Sequence, residues 1–199
     1  YIKKFPYLKS LTLTRGQATD KGLESLKGLA HLEFVCLLSA WGLTDSGMAH
    51  VAALPRLTRF CTDRAEQLTD ETLRQFGHAT NLRDLVIDGG RFSDIGLQHL
   101  KSLKTLKNLR IGSAEPLITD QGLAELAGHV TLESLSLENT KITDAGLKHL
   151  HGMLQLTELD LSGSEVTPAG LAGLSKVLPK LKLSESQKDH ETEQPAKPK

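Results

Sequence analysis

Hydrophobic residues return along this chain in runs of one form, Leu-x-x-Leu-x-Leu. The runs are Leu8/Leu11/Leu13, Leu32/Val35/Leu37, Leu57/Phe60/Thr62, Leu82/Leu85/Ile87, Leu106/Leu109/Ile111, Leu132/Leu135/Leu137 and Leu156/Leu159/Leu161. The alternation inside each run has the period of a β-strand, with the fourth and sixth positions turned inward. Successive first leucines lie 24, 25, 25, 24, 26 and 24 residues apart. Self-similarity at that spacing is the signature of stacked structural repeats, each too small to bury its own apolar face.

Each run is followed by a second marker. Thr19-Asp20-Lys21-Gly22-Leu23 recurs as Thr44-Asp45-Ser46-Gly47-Met48, Thr69-Asp70-Glu71-Thr72-Leu73, Ser93-Asp94-Ile95-Gly96-Leu97 and Thr119-Asp120-Gln121-Gly122-Leu123. Thr143-Asp144-Ala145-Gly146-Leu147 and Thr167-Pro168-Ala169-Gly170-Leu171 complete the series. Past the marker the period changes to that of a helix, with Leu147, Leu150 and Leu154 expected on one face. Pro168 stands where the others carry Asp, and proline is favoured at the first helical position because it lacks an amide hydrogen. Thr167 and its equivalents are therefore predicted N-caps. The Asp falls in the first turn, where the helix dipole favours negative charge.

Strand, loop, capped helix and return, with these leucine and Thr-Asp-x-Gly-Leu motifs, resemble the leucine-rich repeat family over residues 8 to 183. The units are most similar to the variety common in bacterial repeat proteins and to the cysteine-containing repeats of F-box-associated substrate receptors. The resemblance implies an α/β fold: a right-handed solenoid, or horseshoe, with a concave parallel β-sheet and short convex helices. The family's Asn or Cys ladder position is held here by Gly16, Ala40, Ala65, Gly90, Ala114, Thr140 and Ser164, so no asparagine ladder is expected.

Domain organisation follows from where the pattern holds. Residues 1–7 have the layout of a repeat's tail, since Phe5-Pro6-Tyr7-Leu8 parallels Leu54-Pro55-Arg56-Leu57. The chain is expected to be a segment of a longer protein whose uncapped N-terminal edge offers a second place for association. Residues 8–183 carry seven repeats and the start of an eighth at Leu181-Lys182-Leu183. Residues 184–199, charged and without an apolar face, are expected to be a disordered tail.

Composition narrows the partner. With 24 basic and 24 acidic residues the formal net charge is zero, so nothing favours nucleic acid, and no apolar run reaches the length of a membrane span. Two cysteines argue against an extracellular disulfide scaffold. A cytoplasmic chain is expected, with export open if a leader preceded Tyr1.

The third, fifth and seventh positions of each run point away from the core and form three columns on the concave face. Phe34, Arg59 and Asp84 lie in the third column, Cys36, Cys61, Val86 and Arg110 in the fifth, and Leu38, Asp63, Asp88 and Glu138 in the seventh. Of eight aromatic residues, Phe60, Phe76 and Phe92 fall on core columns and three lie at the N-terminal end. Phe34 and Trp41 remain for the surface, both in repeat two. An apolar group on a surface free to be polar suggests a contact site anchored by aromatics. Every change of repeat length before repeat seven falls in the loop leaving the strand, in repeats two, three and five, which carry Trp41, Glu66-Gln67 and Glu115-Pro116.

Phe34, Leu38 and Trp41 are thus expected to anchor a partner, and Arg59, Asp63, Arg64, Asp88 and Arg110 to select it, with opposite charges on adjacent strands pairing. Asp63 and Asp88 could suit a hard cation, but the arginines beside them speak against it; neither metal nor cofactor is called for. Cys36 and Cys61 share a column on neighbouring strands, where parallel side chains would hold their β-carbons too far apart for a disulfide. Buried or half-buried thiols are expected. His50, His99 and His149 occupy one helix position in alternate repeats, too far apart to share a metal, and are expected to face solvent. No nucleophile stands beside a base and an orienting acid, so catalysis is not expected. The expected function is protein–protein recognition. The alternatives are a substrate-receptor subunit of a ubiquitin-ligase-like complex, implied by the family resemblance, and a carbohydrate-binding surface.

Overall fold

The computed structural model describes residues 2–14 and 18–183. The expected disordered tail and the first ladder residue, Gly16, lie outside the described residues. Eight parallel strands form one sheet in chain order. They are β1 Ser10–Leu13, β2 Phe34–Leu37, β3 Arg59–Thr62, β4 Asp84–Asp88, β5 Asn108–Gly112, β6 Ser134–Ser136, β7 Glu158–Asp160 and β8 Lys182–Leu183. Every pair aligns like with like: Ser10, Phe34, Arg59, Asp84, Asn108, Ser134, Glu158 and Lys182 form one continuous row. The register follows from the repeat, because a slip by one residue would turn each leucine out of the core.

Helices α1 Asp20–Leu23, α2 Asp45–Ala52, α3 Asp70–Phe76, α4 Asp94–Gln98, α5 Asp120–Glu125 and α6 Pro168–Val177 cover the inner side. Repeat six has a 3₁₀ turn at Gly146–Leu150 in their place. The predicted caps are present. Thr44, Thr69, Ser93 and Thr119 each accept a hydrogen bond from the amide two residues on, and Thr19 and Thr167 from the amide three residues on.

The Asp after the cap does more than oppose the helix dipole. Its carboxylate reaches across to the following repeat and accepts from both the amide and the hydroxyl of the next cap. Asp70 receives the Ser93 amide at 2.8 Å and its hydroxyl at 2.6 Å. Asp94 holds Thr119 at 2.8 Å through each group, and Asp120 holds Thr143 at 2.8 and 2.7 Å. Asp20 to Thr44, Asp45 to Thr69 and Asp144 to Thr167 repeat the arrangement. Hydrogen bonds to a charged acceptor contribute about 1.5–3 kcal/mol each.

The glycine of the motif is explained by the same carboxylate. A Cβ on Gly96 would stand 2.2 Å from Asp70 Oδ1, and one on Gly122, Gly146 or Gly170 would meet the preceding Asp at 2.4, 2.2 and 2.1 Å. Repeat three, which has Thr72 instead, satisfies the constraint differently: the Thr72 hydroxyl donates to Asp45. Gly22 has no earlier Asp against it. Pro168 supplies no carboxylate, so the series runs from Asp20 to Asp144.

The core is a spine of the repeated leucines with Phe60, Phe76 and Phe92 fully buried among them. The Phe60 and Phe76 rings pack at 4.6 Å between centroids. Thr62 takes an inward position but is satisfied, donating to the Leu37 carbonyl at 2.8 Å. Three expectations require correction. Leu154 is 67% exposed, because the turn of repeat six has ended before it and Met153 fills the core. Ala114 is exposed, whereas Ser113 is buried beside it and donates to the Glu115 carbonyl; the lengthened loop of repeat five displaces the ladder position by one. The three histidines expected in solvent, His50, His99 and His149, are half-buried.

From Leu32 on, the residue three before each first leucine is also a core column, running Leu29, Leu54, Ala79, Leu103, His129, Met153 and, before Leu181, Leu178. His129 is 1% exposed, and neither ring nitrogen finds a hydrogen-bond partner among the described residues. Burial, reinforced by the charge of Lys104 and only partly opposed by the nearby Leu103 backbone, lowers its pKa below the ordinary 6.5. The unfolded chain then binds a proton that the folded chain refuses.

Two tests follow from this packing. Gly96→Ala drives a methyl into Asp70 and should cost about 1–3 kcal/mol in urea unfolding, whereas Gly22→Ala should shift stability by less than about 1 kcal/mol. His129 stabilises the fold fully only above pH 6.5. Stability should therefore fall as pH drops through that value towards the lower folded pKa. Unfolding curves for His129→Leu should lack that share of the loss.

Candidate functional site

The sheet's free face is built from the third, fifth and seventh positions, and the turn after the seventh shapes its rim. There the chain enters the left-handed region, at Ser39 (φ 60°), Arg64 (51°), Gly89 (89°), Asn139 (54°) and Gly163 (73°). Glycine and asparagine accept this conformation readily. For Arg64 the same turn lays the guanidinium over the Trp41 ring, 5.4 Å from its centroid.

Repeats two and three hold the expected anchors. Trp41 is 49% and Leu38 37% exposed, while Phe34 is half-buried. Arg59 lies over Phe34 at 4.7 Å, and the Trp41 carbonyl accepts from Gln67 at 2.9 Å, tying the two longer loops together. Between these stacks Cys36 and Cys61 form a disulfide, with sulfurs 2.18 Å and α-carbons 4.6 Å apart. The expectation of free thiols is therefore corrected. Paired positions of neighbouring parallel strands fall inside the α-carbon range of disulfides, and rotation about the Cα–Cβ bonds brings the sulfurs together where rigidly parallel side chains would not. Cys36 is buried at 7% exposure, so of the two cysteines only half-buried Cys61 offers appreciable surface to a partner.

The charged residues divide into two groups. Arg110 is committed: Nε meets Asp88 at 2.8 Å and an Nη meets Glu138 at 2.9 Å. The bond to Asp88 raises the Arg110 pKa above its usual value against the opposing effect of burial. Asp84, aligned with Arg59 on the next strand, takes the Asn108 amide instead. Asp63 accepts from the Ser39 amide. Neither Arg59 nor Arg64 has a carboxylate within ion-pair distance among the described residues. Val86 completes the fifth column, half-buried between Cys61 and Arg110.

Two depressions mark this face and its rim. One of about 720 Å³ follows the strand-exit rim, lined by Asp63, Arg64, Gln67, Asp88, Arg91 and Glu115, with Arg91 and Glu115 paired at 3.3 Å. The other, about 810 Å³, spans repeats four to eight and includes Asn108, Arg110, Ser134, Ser136, Glu158 and Asp160. Of these six only Arg110 was singled out from the sequence. The others sit in the same outward columns, and their column membership was the signal; a search weighted to aromatics and isolated charges passes over small polar residues.

A family model for the Leucine Rich repeat matches residues 128–150 and 155–175. Among solved structures, an internalin (InlF) of Listeria monocytogenes is similar at 28% identity and a TM-score of 0.71 over 89% of this chain. Internalin C2 of the same organism is similar at 26% identity and a TM-score of 0.70 over 92% of the chain. The chain spans 47% of the first of these structures and 74% of the second. No curated protein matches significantly in sequence. None of the helices in the described residues is long and apolar enough to cross a membrane.

The disulfide closes a loop between residues 25 positions apart, for which loop-closure entropy gives about 3 kcal/mol. A chain kept oxidised should resist alkylation at both cysteines until reduced, and reduction or Cys36→Ala/Cys61→Ala should lower stability by up to that amount in chemical denaturation.

Proposed function

We propose that this leucine-rich-repeat solenoid is a protein-recognition module whose partner lies across the free face of repeats two to four and the adjoining strand-exit rim. The repeat fold and the likeness to internalins support an interaction module in general. The particular site rests on one observation: Trp41, Leu38 and Phe34 form an apolar patch beside arginines, on a face with no requirement to be apolar. Stacked parallel strands about 4.8 Å apart give a row wide enough for the ~800 Å² per partner of an ordinary interface.

The residues carry different parts of the task. Trp41 and Leu38 supply apolar area that loses water on contact, and such anchors dominate binding energy. Arg59 and Arg64 select by charge, and Asp84, Asp88, Arg110 and Glu138 form a hydrogen-bonded polar margin that disfavours wrongly charged partners. The Cys36–Cys61 bond ties β2 to β3 beneath the patch and limits the ordering cost of binding. Disulfides persist in oxidising surroundings, so the bond weighs towards an exported chain. The narrower readings, a ubiquitin-ligase substrate receptor or a carbohydrate surface, would use the same face.

Arg59→Glu combined with Trp41→Ala should abolish capture of a natural partner while the circular dichroism melt stays unchanged. Retained capture by the folded double variant would move the site elsewhere.

A further inference from the structure

The arginines of repeats two and three differ from the arginine of repeat five in a way that specifies the partner's chemistry. Arg110 is saturated by Asp88 and Glu138. Arg59 and Arg64 are each laid on an aromatic ring, at 4.7 and 5.4 Å, and both are exposed without a carboxylate. Of the nearby acids, Asp84 is taken by Asn108, Asp63 by the Ser39 amide and Asp88 by Arg110, while Glu66 shares the rim with Arg64 outside ion-pair distance. Stacking fixes the plane of a guanidinium while leaving its N–H edge free, the arrangement suited to bidentate capture of a carboxylate.

Each stack joins repeat two to repeat three, one at the start of β2 and β3 and the other at the turns that follow these strands. The floor between them is apolar, made by half-buried Cys61 and by Leu38. From β4 onward the face turns acidic, with Asp84, Asp88, Glu138, Glu158 and Asp160 against Arg110 and Lys182. An anionic segment is therefore attracted at repeats two and three and repelled from repeats four to seven.

We propose that the patch docks an acidic protein segment running along β2 and β3, one carboxylate on each arginine–aromatic stack and an apolar side chain between them on Leu38. This rests on the protein-recognition reading above and adds the sign and placement of the charges.

A random peptide library displayed on phage, panned against the full oxidised chain, tests it. Enriched peptides should carry an excess of Asp and Glu flanking an apolar residue. Their binding should quench or shift the fluorescence of Trp41, the chain's single tryptophan, and weaken as salt is raised. Arg59→Glu/Arg64→Glu should reduce affinity more than tenfold with an unchanged melt, and Arg59→Lys/Arg64→Lys by less, because charge is kept and the planar fork lost. Enrichment of basic peptides whose binding depends on Glu158 and Asp160 overturns the inference while leaving protein recognition standing. So does self-association of the chain through this face. Enrichment indifferent to the arginine variants overturns it too, and no enrichment at all counts against both readings.

Discussion

A carboxylate placed once per repeat, with two donors of the next repeat delivered to it, is what turns a row of similar units into one molecule. A solenoid has only nearest-neighbour interfaces, so each must be stable and fixed in register. Leucine packing supplies most of the favourable free energy but is tolerant of small slides, being non-directional. The carboxylate bonds are directional and charge-assisted. They bind Asp70 to Ser93 and Asp94 to Thr119 at 2.6–2.8 Å, and they leave no room for an apolar side chain at the glycine that passes beside them, Thr72 being accepted in repeat three through its own bond to Asp45.

Concentrating cohesion on the core and the helix side leaves the sheet's outer columns free. That freedom is spent unevenly. In repeats four to six the outward residues satisfy one another, as Arg110 does with Asp88 and Glu138. In repeats two and three the cations rest on aromatic rings and keep their hydrogen-bonding edges open. The disulfide lies under this second region, joining the two strands whose loops carry Trp41 and Gln67. Rigidity and open valence coincide there.

Much of this was legible beforehand, and particular residues show why some was not. Row membership on the sheet followed from period two and was matched by the observed register from Ser10 to Lys182. Pro168 identified the cap position, and the caps are where it placed them. Leu154 failed because a helical period was continued through a turn that had already ended. His129 lies outside the helix position at which the other histidines recur; its column, otherwise Leu, Ala and Met, held the clue. The missing ion pair of Arg59 with Asp84 shows the limit of adjacency: Asn108 and the Phe34 ring offered each partner something better.

By itself, the sequence determined the architecture, because leucines at a fixed period have one shared way to leave water, and alternation then dictates which side chains face out. It determined the cap chemistry for the same local reason. Only the tertiary structure decided what those side chains do to one another. The motif's Asp and Gly meet across repeats, not within one. The cysteines bond because two parallel strands come within 4.6 Å at their α-carbons. Which arginine is saturated and which is left open depends on competing acceptors and rings a few ångströms away, a matter of distances in space that no spacing along the chain encodes.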